Sequence, residues 1–211
     1  MNVARRIKPP KAPPGRVRYL QPTELRAVLA TAPAWLRPII ALAVATGMRR
    51  SEILKLRWLD VDLNGRRVLL SQTKNGEGRV VYLNRLALQA IESLPLSEKA
   101  KPVDLLLFPG LDGSWVSVKF VRLCRRLGIS DFHFHDLRHT AASWLRMRGA
   151  DIHTVAQLLG HKDLRMAARY QHLSPAFLRK RSGGWMRFSA RRYVPICPRA
   201  EGTRAGVGAS A

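Results

Sequence analysis

The chain has 211 residues, 46% of them apolar, enough for one domain with a substantial core and little more. Its 37 Lys and Arg stand against 14 Asp and Glu, a formal net charge of +23. That excess points to a polyanionic partner, nucleic acid foremost, with a basic structural protein of ribosomal type as the alternative. The 2 cysteines, Cys124 and Cys197, are too few for a disulfide framework or a zinc site. No run approaches about 18 apolar residues, and no apolar stretch follows the basic N-terminus, so neither a membrane span nor a signal peptide is read. A soluble protein of a reducing cytoplasm is expected.

Residues 1–18 combine Pro9, Pro10, Pro13 and Pro14 with Arg5, Arg6, Lys8, Lys11, Arg16 and Arg18 and carry no acid, which predicts a flexible basic arm. Pro22 suits a first helical turn, and Leu25, Val28 and Leu29 share one helical face. A second apolar helix, Leu36 to Thr46, stops at Gly47. Ser51 is placed to cap a third, short helix through Leu56. Strand-like segments follow around Val61, at Val68 to Leu70 and at Val80 to Leu83. Asn64-Gly65 and Asn75-Gly76 mark the turns of a small antiparallel sheet. Asp60 and Asp62 alternate along the first segment and are expected to face solvent together, with metal binding there the weaker reading.

Helices resume at Leu86 to Leu94, Val116 to Leu127 with Gly128 as stop, and His135 to Arg148 with Gly149 as stop. Asp151 can cap the next, which runs to Leu159, and a last pair covers Leu164 to Tyr170 and Pro175 to Lys180. Leu42, Val44, Trp144, Leu145, Leu158 and Leu159 read as core. From residue 182 to 211 helical period gives way to Gly, Pro and Arg, the composition of a disordered basic tail. The fold class is α+β, mainly helical, with one small antiparallel sheet in a domain spanning residues 19–181.

Four stretches carry chemistry. In FHFHDLRHTAASWL, His135, Arg138 and His139 can lie along one side of a helix start, already a favourable place for an anion. Arg49 in ATGMRRSEIL lies just past a helix-ending Gly47. Lys74 in QTKNGEG sits at the edge of a hairpin turn. In LLGHKDLRMAARYQHL, His161 follows a glycine-stopped helix and Tyr170 comes nine positions later. Taken singly, each has an ordinary reading as a capped helix, a surface arginine, a turn lysine, a loop histidine or a packed tyrosine.

Taken together, in this order, Arg49, Lys74, His135, Arg138, His161 and Tyr170 resemble the tyrosine recombinase (phage integrase) family across residues 18–180, through the combination TG-x-R, H-x-L-R-H-T, LGH and RY-x-HL. The resemblance implies a tyrosine-recombinase-like catalytic domain. It makes Tyr170 the nucleophile, forming a 3'-phosphotyrosyl bond that conserves the energy of the broken linkage, so no cofactor is needed. Arg49 and Arg138 would fork onto the non-bridging phosphate oxygens, as planar guanidiniums can. Lys74 would be general acid to the leaving 5'-oxygen, His135 a proton-handling partner and His161 a donor to the phosphate. His139 is left with structural support. Tyr19, Tyr82 and Tyr193 follow no LGH element and rank below Tyr170.

Arg16, Arg18, Arg50 and Arg79 are expected to contact double-stranded DNA, and self-association from dimer to tetramer on DNA is implied. Family members commonly place a helical core-binding domain ahead of the catalytic one, whereas only about 18 residues precede the catalytic-like region of this sequence. Site-specific recombination, integration or excision, is the leading expectation. The alternatives are a truncated DNA-binding remnant or accessory protein, and supercoil relaxation of the type IB topoisomerase kind.

Overall fold

The computed structural model describes residues 18–70, 78–95, 105–161 and 163–173. Residues 1–17 of the expected arm, Arg16 among them, Lys74 with its Asn75-Gly76 turn, the expected helix at Pro175 to Lys180, Tyr193 and the tail lie outside the described residues.

The described chain runs α1 (Pro22–Thr31), α2 (Arg37–Thr46), α3 (Arg50–Leu54), β1 (Val61–Asp62), β2 (Arg67–Leu70), β3 (Arg79–Tyr82), α4 (Arg85–Glu92), α5 (Gly113–Arg126), α6 (Asp136–Met147), α7 (Ile152–Leu159) and α8 (Leu164–Ala168). Single 3-10 turns lie at Trp58–Asp60 and Gln171–Leu173. The mainly helical architecture with one small sheet agrees with the sequence reading.

Helix α2 is apolar on every side and is buried from Pro38 through Val44, as a central helix must be. It packs against α1, α3, α4 and α6. A second cluster of Ala142, Val155, Leu159, Tyr170 and Leu173 forms under α6 and α7. Leu42, Val44 and Leu159 are buried, as expected of core residues. Trp144 and Leu145 are half-buried against the two clusters.

The sheet has the order β1-β2-β3, antiparallel throughout, with Val68 opposite Val81 and Leu69 opposite Val80. Val68, Leu70 and Val81 face the core, and Leu69, Val80 and Tyr82 face outward, the period-2 alternation of a half-buried sheet.

Several boundaries move for local reasons. Helix α3 is capped at Arg49 rather than at Ser51, because the Glu52 carboxylate turns back and accepts the Arg49 backbone N–H at 2.7 Å. Helix α5 begins at Gly113, where Asp112 accepts the Trp115 N–H at 2.7 Å. Helix α8 ends at Ala168, short of Tyr170. The Tyr170 N–H bonds Ala167 O at 2.9 Å, and the backbone tightens into the 3-10 turn beyond.

The pair Asp60 and Asp62 does not share a solvent face. Asp60 is buried and paired with Arg57 at 3.2 Å, while Asp62 pairs with Arg67 at 2.9 Å and accepts the Gly65 N–H. Each carboxylate is thus committed to its own arginine. No described helix is long and apolar enough to cross a membrane.

Candidate active site

Helix ends build the site. Helix α2 ends at Gly47 with φ +67°, and α7 ends at Gly160 with the same angle, left-handed conformations that glycine adopts without a Cβ penalty. A Cβ on Gly47 would stand 2.5 Å from Leu159 Cδ2. The two glycine caps therefore let α2 and α7 finish against each other, with their last carbonyls turned toward the start of α6.

Arg138, on the first turn of α6, locks this junction. Its Nη1 donates to Gly47 O at 2.6 Å and its Nη2 to Leu159 O at 2.5 Å. The side chain is buried at 4% exposure. Among the described residues two of the five guanidinium N–H groups are thereby engaged, and three are left for an anion. Burial first, then the neighbouring charges of Arg49 and Arg79, pulls its pKa down to about 10. Arg138 stays a cation at neutral pH, in a place that has positive charge to spare.

Glu52 organises the rest. Its carboxylate accepts Arg49 Nη1 at 2.8 Å and Arg79 Nη2 at 2.9 Å, besides the Arg49 backbone N–H. Arg79 also donates to Leu159 O, the carbonyl that Arg138 uses. Two guanidiniums thus share a single buried carboxylate, and with Arg138 beside them the cluster is left net positive and preorganised for an anion. Arg79, expected along DNA, is instead turned inward, its side chain 12% exposed. Being the first residue of β3, it reaches the end of α7 and the middle of α3. Arg50 donates to Ser117, and Arg18 packs over Phe132 at 5.6 Å beside Glu24.

Replacing Glu52 by Ala would leave Arg49 and Arg79 without their shared counter-charge. The expected cost is about 3 kcal/mol of folding stability, the scale for one partner removed from a buried ion pair. A urea midpoint equal to wild type would show that the pair holds nothing.

The imidazoles complete the constellation. His135 caps α6 and meets His139 edge-on, with ring centroids 5.1 Å apart. His139 Nδ1 is hydrogen-bonded to the Tyr170 hydroxyl, with centroids 5.8 Å apart. His161, just past Gly160, has a buried Nδ1 without a hydrogen-bond partner among the described residues, a polar atom placed for a ligand to satisfy. Tyr170 is 1% exposed, and burial above all pushes its phenol up to about 12. Burial likewise lowers His135, with the charge of Arg138 adding to it.

His139 and His161 are each lowered from 6.5 to about 4. Burial leads in both, followed by the His135 charge for the first and Arg138 and Arg49 for the second. Between pH 6.5 and 4 the unfolded chain binds these protons and the folded chain does not. Stability present above pH 6.5 is therefore lost as the pH falls toward 4. Urea midpoints should drop across that window and drop less in a His139→Asn/His161→Asn double variant. Identical slopes would contradict the assignment.

Five of the six residues singled out in the sequence thus come together: Arg49, His135, Arg138, His161 and Tyr170. Lys74 lies outside the described residues. Glu52 and the inward role of Arg79 were missed, although Glu52 stands three residues after Arg49, the spacing of a capping box. His139 was given support only, yet it touches the Tyr170 hydroxyl.

A hydroxyl held on an imidazole beside clustered guanidiniums is an arrangement able to present a nucleophile to a phosphate. A family model, the phage integrase family, matches residues 18–176, and the chain belongs to that family. It is 34% identical over 176 residues to a shufflon-specific DNA recombinase of Escherichia coli, covering 82% of this chain and 44% of that protein. The integrase of Salmonella phage P22 is 30% identical over 190 residues, covering 82% and 48%. Among solved structures, XerA recombinase superimposes with a TM-score of 0.66 at 26% identity, over 83% of this chain and 66% of that one. The chain spans about half the length of the curated relatives it matches.

Proposed function

We propose that this chain carries out site-specific DNA recombination by cutting and rejoining DNA through a 3'-phosphotyrosyl intermediate. One observation carries the reading: the Tyr170 hydroxyl is held by His139 next to the guanidinium cluster of Arg49, Arg79 and Arg138. The relatives' names, shufflon-specific DNA recombinase and integrase, supply the reaction class.

In this reading Arg49 and Arg138 hold the non-bridging oxygens of the scissile phosphate, and the unpartnered Nδ1 of His161 donates to it. Tyr170 Oη attacks phosphorus, and Lys74 protonates the leaving 5'-oxygen. The bond energy kept in the phosphotyrosyl linkage makes the step reversible without a cofactor. Protomers assemble as dimers or tetramers on two duplexes, in the cytoplasm. The arm of residues 1–18 follows DNA phosphates. Deleting residues 1–18 should therefore lower the salt slope of binding by about one for each phosphate that the arm neutralises, and an unchanged slope would remove that role.

A pool of nicked duplexes with randomised sequence tests the whole reading. Incubation should trap covalent protein-DNA complexes, because the short strand released at the nick diffuses away and blocks rejoining. Sequencing the trapped DNA gives the target site. Digestion should leave a peptide containing Tyr170 on the 3' end of the DNA. DNA binding without any adduct would favour the non-recombining DNA-binding protein instead.

A further inference from the structure

The roles above leave the second histidine of H-x-L-R-H without work, yet it is the side chain on the reacting hydroxyl. His139 Nδ1 is hydrogen-bonded to Tyr170 Oη, whereas His135 makes no hydrogen bond to Tyr170 among the described residues. We propose that His139 is the base of the cleavage step, taking the phenolic proton of Tyr170 onto Nδ1 as Oη attacks. The inference rests on the reading of Tyr170 as nucleophile.

Geometry supports it first. His139 sits one helical turn after His135 on α6 and is buried at 8% exposure. The rings of His135 and Tyr170 both pack against its imidazole. The other charged groups around the phenol compete poorly for its proton. Arg138 and Arg169 are cations, and the Asp136 carboxylate is engaged with the His133 N–H at 2.7 Å. A general base needs hydrogen-bond reach to the proton it removes, and His139 has it.

The electrostatics explain how so weak a resting base can act. Burial first, then the charges of His135, Arg169 and Arg138, holds the imidazole low, with Asp136 opposing them. The lowered value keeps the imidazole neutral at neutral pH, and in the tautomer with its proton on Nε2 the Nδ1 accepts from the phenol. A scissile phosphate brings negative charge into this cationic field and offsets it. The basicity of His139 therefore rises when DNA is bound and the proton has to move.

The step balances. The Oη–P bond forms as the bond from phosphorus to the 5'-oxygen breaks, the phenolic proton goes to His139, and the leaving oxygen takes a proton from Lys74. On rejoining, the 5'-hydroxyl returns its proton to Lys74, and His139 gives its own back to the departing Tyr170 oxygen.

The test is single-turnover cleavage of the nicked duplex recovered from the randomised pool, with Tyr170→Phe as the blank. His139→Ala should cleave about 100-fold or more slowly than wild type, with added imidazole restoring part of the rate. In His139→Asn, a side-chain oxygen replaces Nδ1 as acceptor for the phenol but cannot carry the proton away. That variant should fold and bind the duplex like wild type and still cleave slowly. Wild-type cleavage by His139→Asn would reduce His139 to a positioning residue and overturn the proposal. Wild-type cleavage by His139→Ala would do the same while leaving Tyr170 in place. Absence of adduct from the wild-type chain itself would remove the Tyr170 reading, and this proposal with it.

Discussion

Tyr170→Phe is expected to abolish covalent adduct formation completely while leaving the fold and DNA binding in place. The ring lies in the cluster with Ala142, Val155, Leu159 and Leu173, and phenylalanine keeps that packing. Only the oxygen is removed, together with its bond to His139. An unpaired buried acceptor costs about 1 to 3 kcal/mol, so a Tm lower by a few degrees should accompany the loss of activity. Chemically nothing replaces the hydroxyl. A water molecule in its place would release a free 3'-phosphate and leave no protein on the DNA. Denaturing gels of the trapped duplex measure the adduct. An adduct persisting at wild-type yield would move the nucleophile elsewhere, with Tyr82, 68% exposed on the sheet, the first to be tried.

Arg138→Ala should produce the second-largest effect, and in two quantities at once. Cleavage should slow by about two to three orders of magnitude, the scale for removing one preorganised donor from a developing charge. Stability should also fall, because Gly47 O and Leu159 O both lose the Arg138 donor. Each hydrogen bond to a charged group is worth about 1.5 to 3 kcal/mol. Arg138→Lys separates the two contributions. It keeps the charge, but an ammonium lacks the planar fork that spans two carbonyls while facing an anion. Lysine should recover part of the stability and little of the rate. Binding measured at the same salt should change far less than cleavage, and loss of both in equal proportion would contradict a role centred on the transition state.

Much of this site was readable from residue order. Gly47 and Gly160 announced helix ends, and Arg49 follows two residues after the first and His161 directly after the second, so their approach to the start of α6 follows from local rules. The period-2 pattern around Val68 and Val81 announced the sheet. What the sequence hid were choices among neighbours. His135 and His139 are one turn apart on the same helix, and spacing alone does not say which imidazole meets Tyr170. The packing of α6 against the 3-10 turn at Gln171–Leu173 decides it. Arg79 reads as an exposed strand residue, because nothing local reveals that the end of α7 lies over β3. Glu52 has only its capping-box spacing from Arg49 to mark it, and the fold alone brings a second arginine, Arg79, to it.

The Leu159 carbonyl receives both Arg138 and Arg79, so the part that ties the sheet to the helix ends is a backbone atom. No side-chain substitution can delete it. Position 159 is free to drift among apolar residues that fill the same space. One residue inserted or removed in the run Leu159-Gly160-His161, by contrast, would displace both arginines together. Chain length through this junction, more than residue identity at position 159, is what the two arginines depend on.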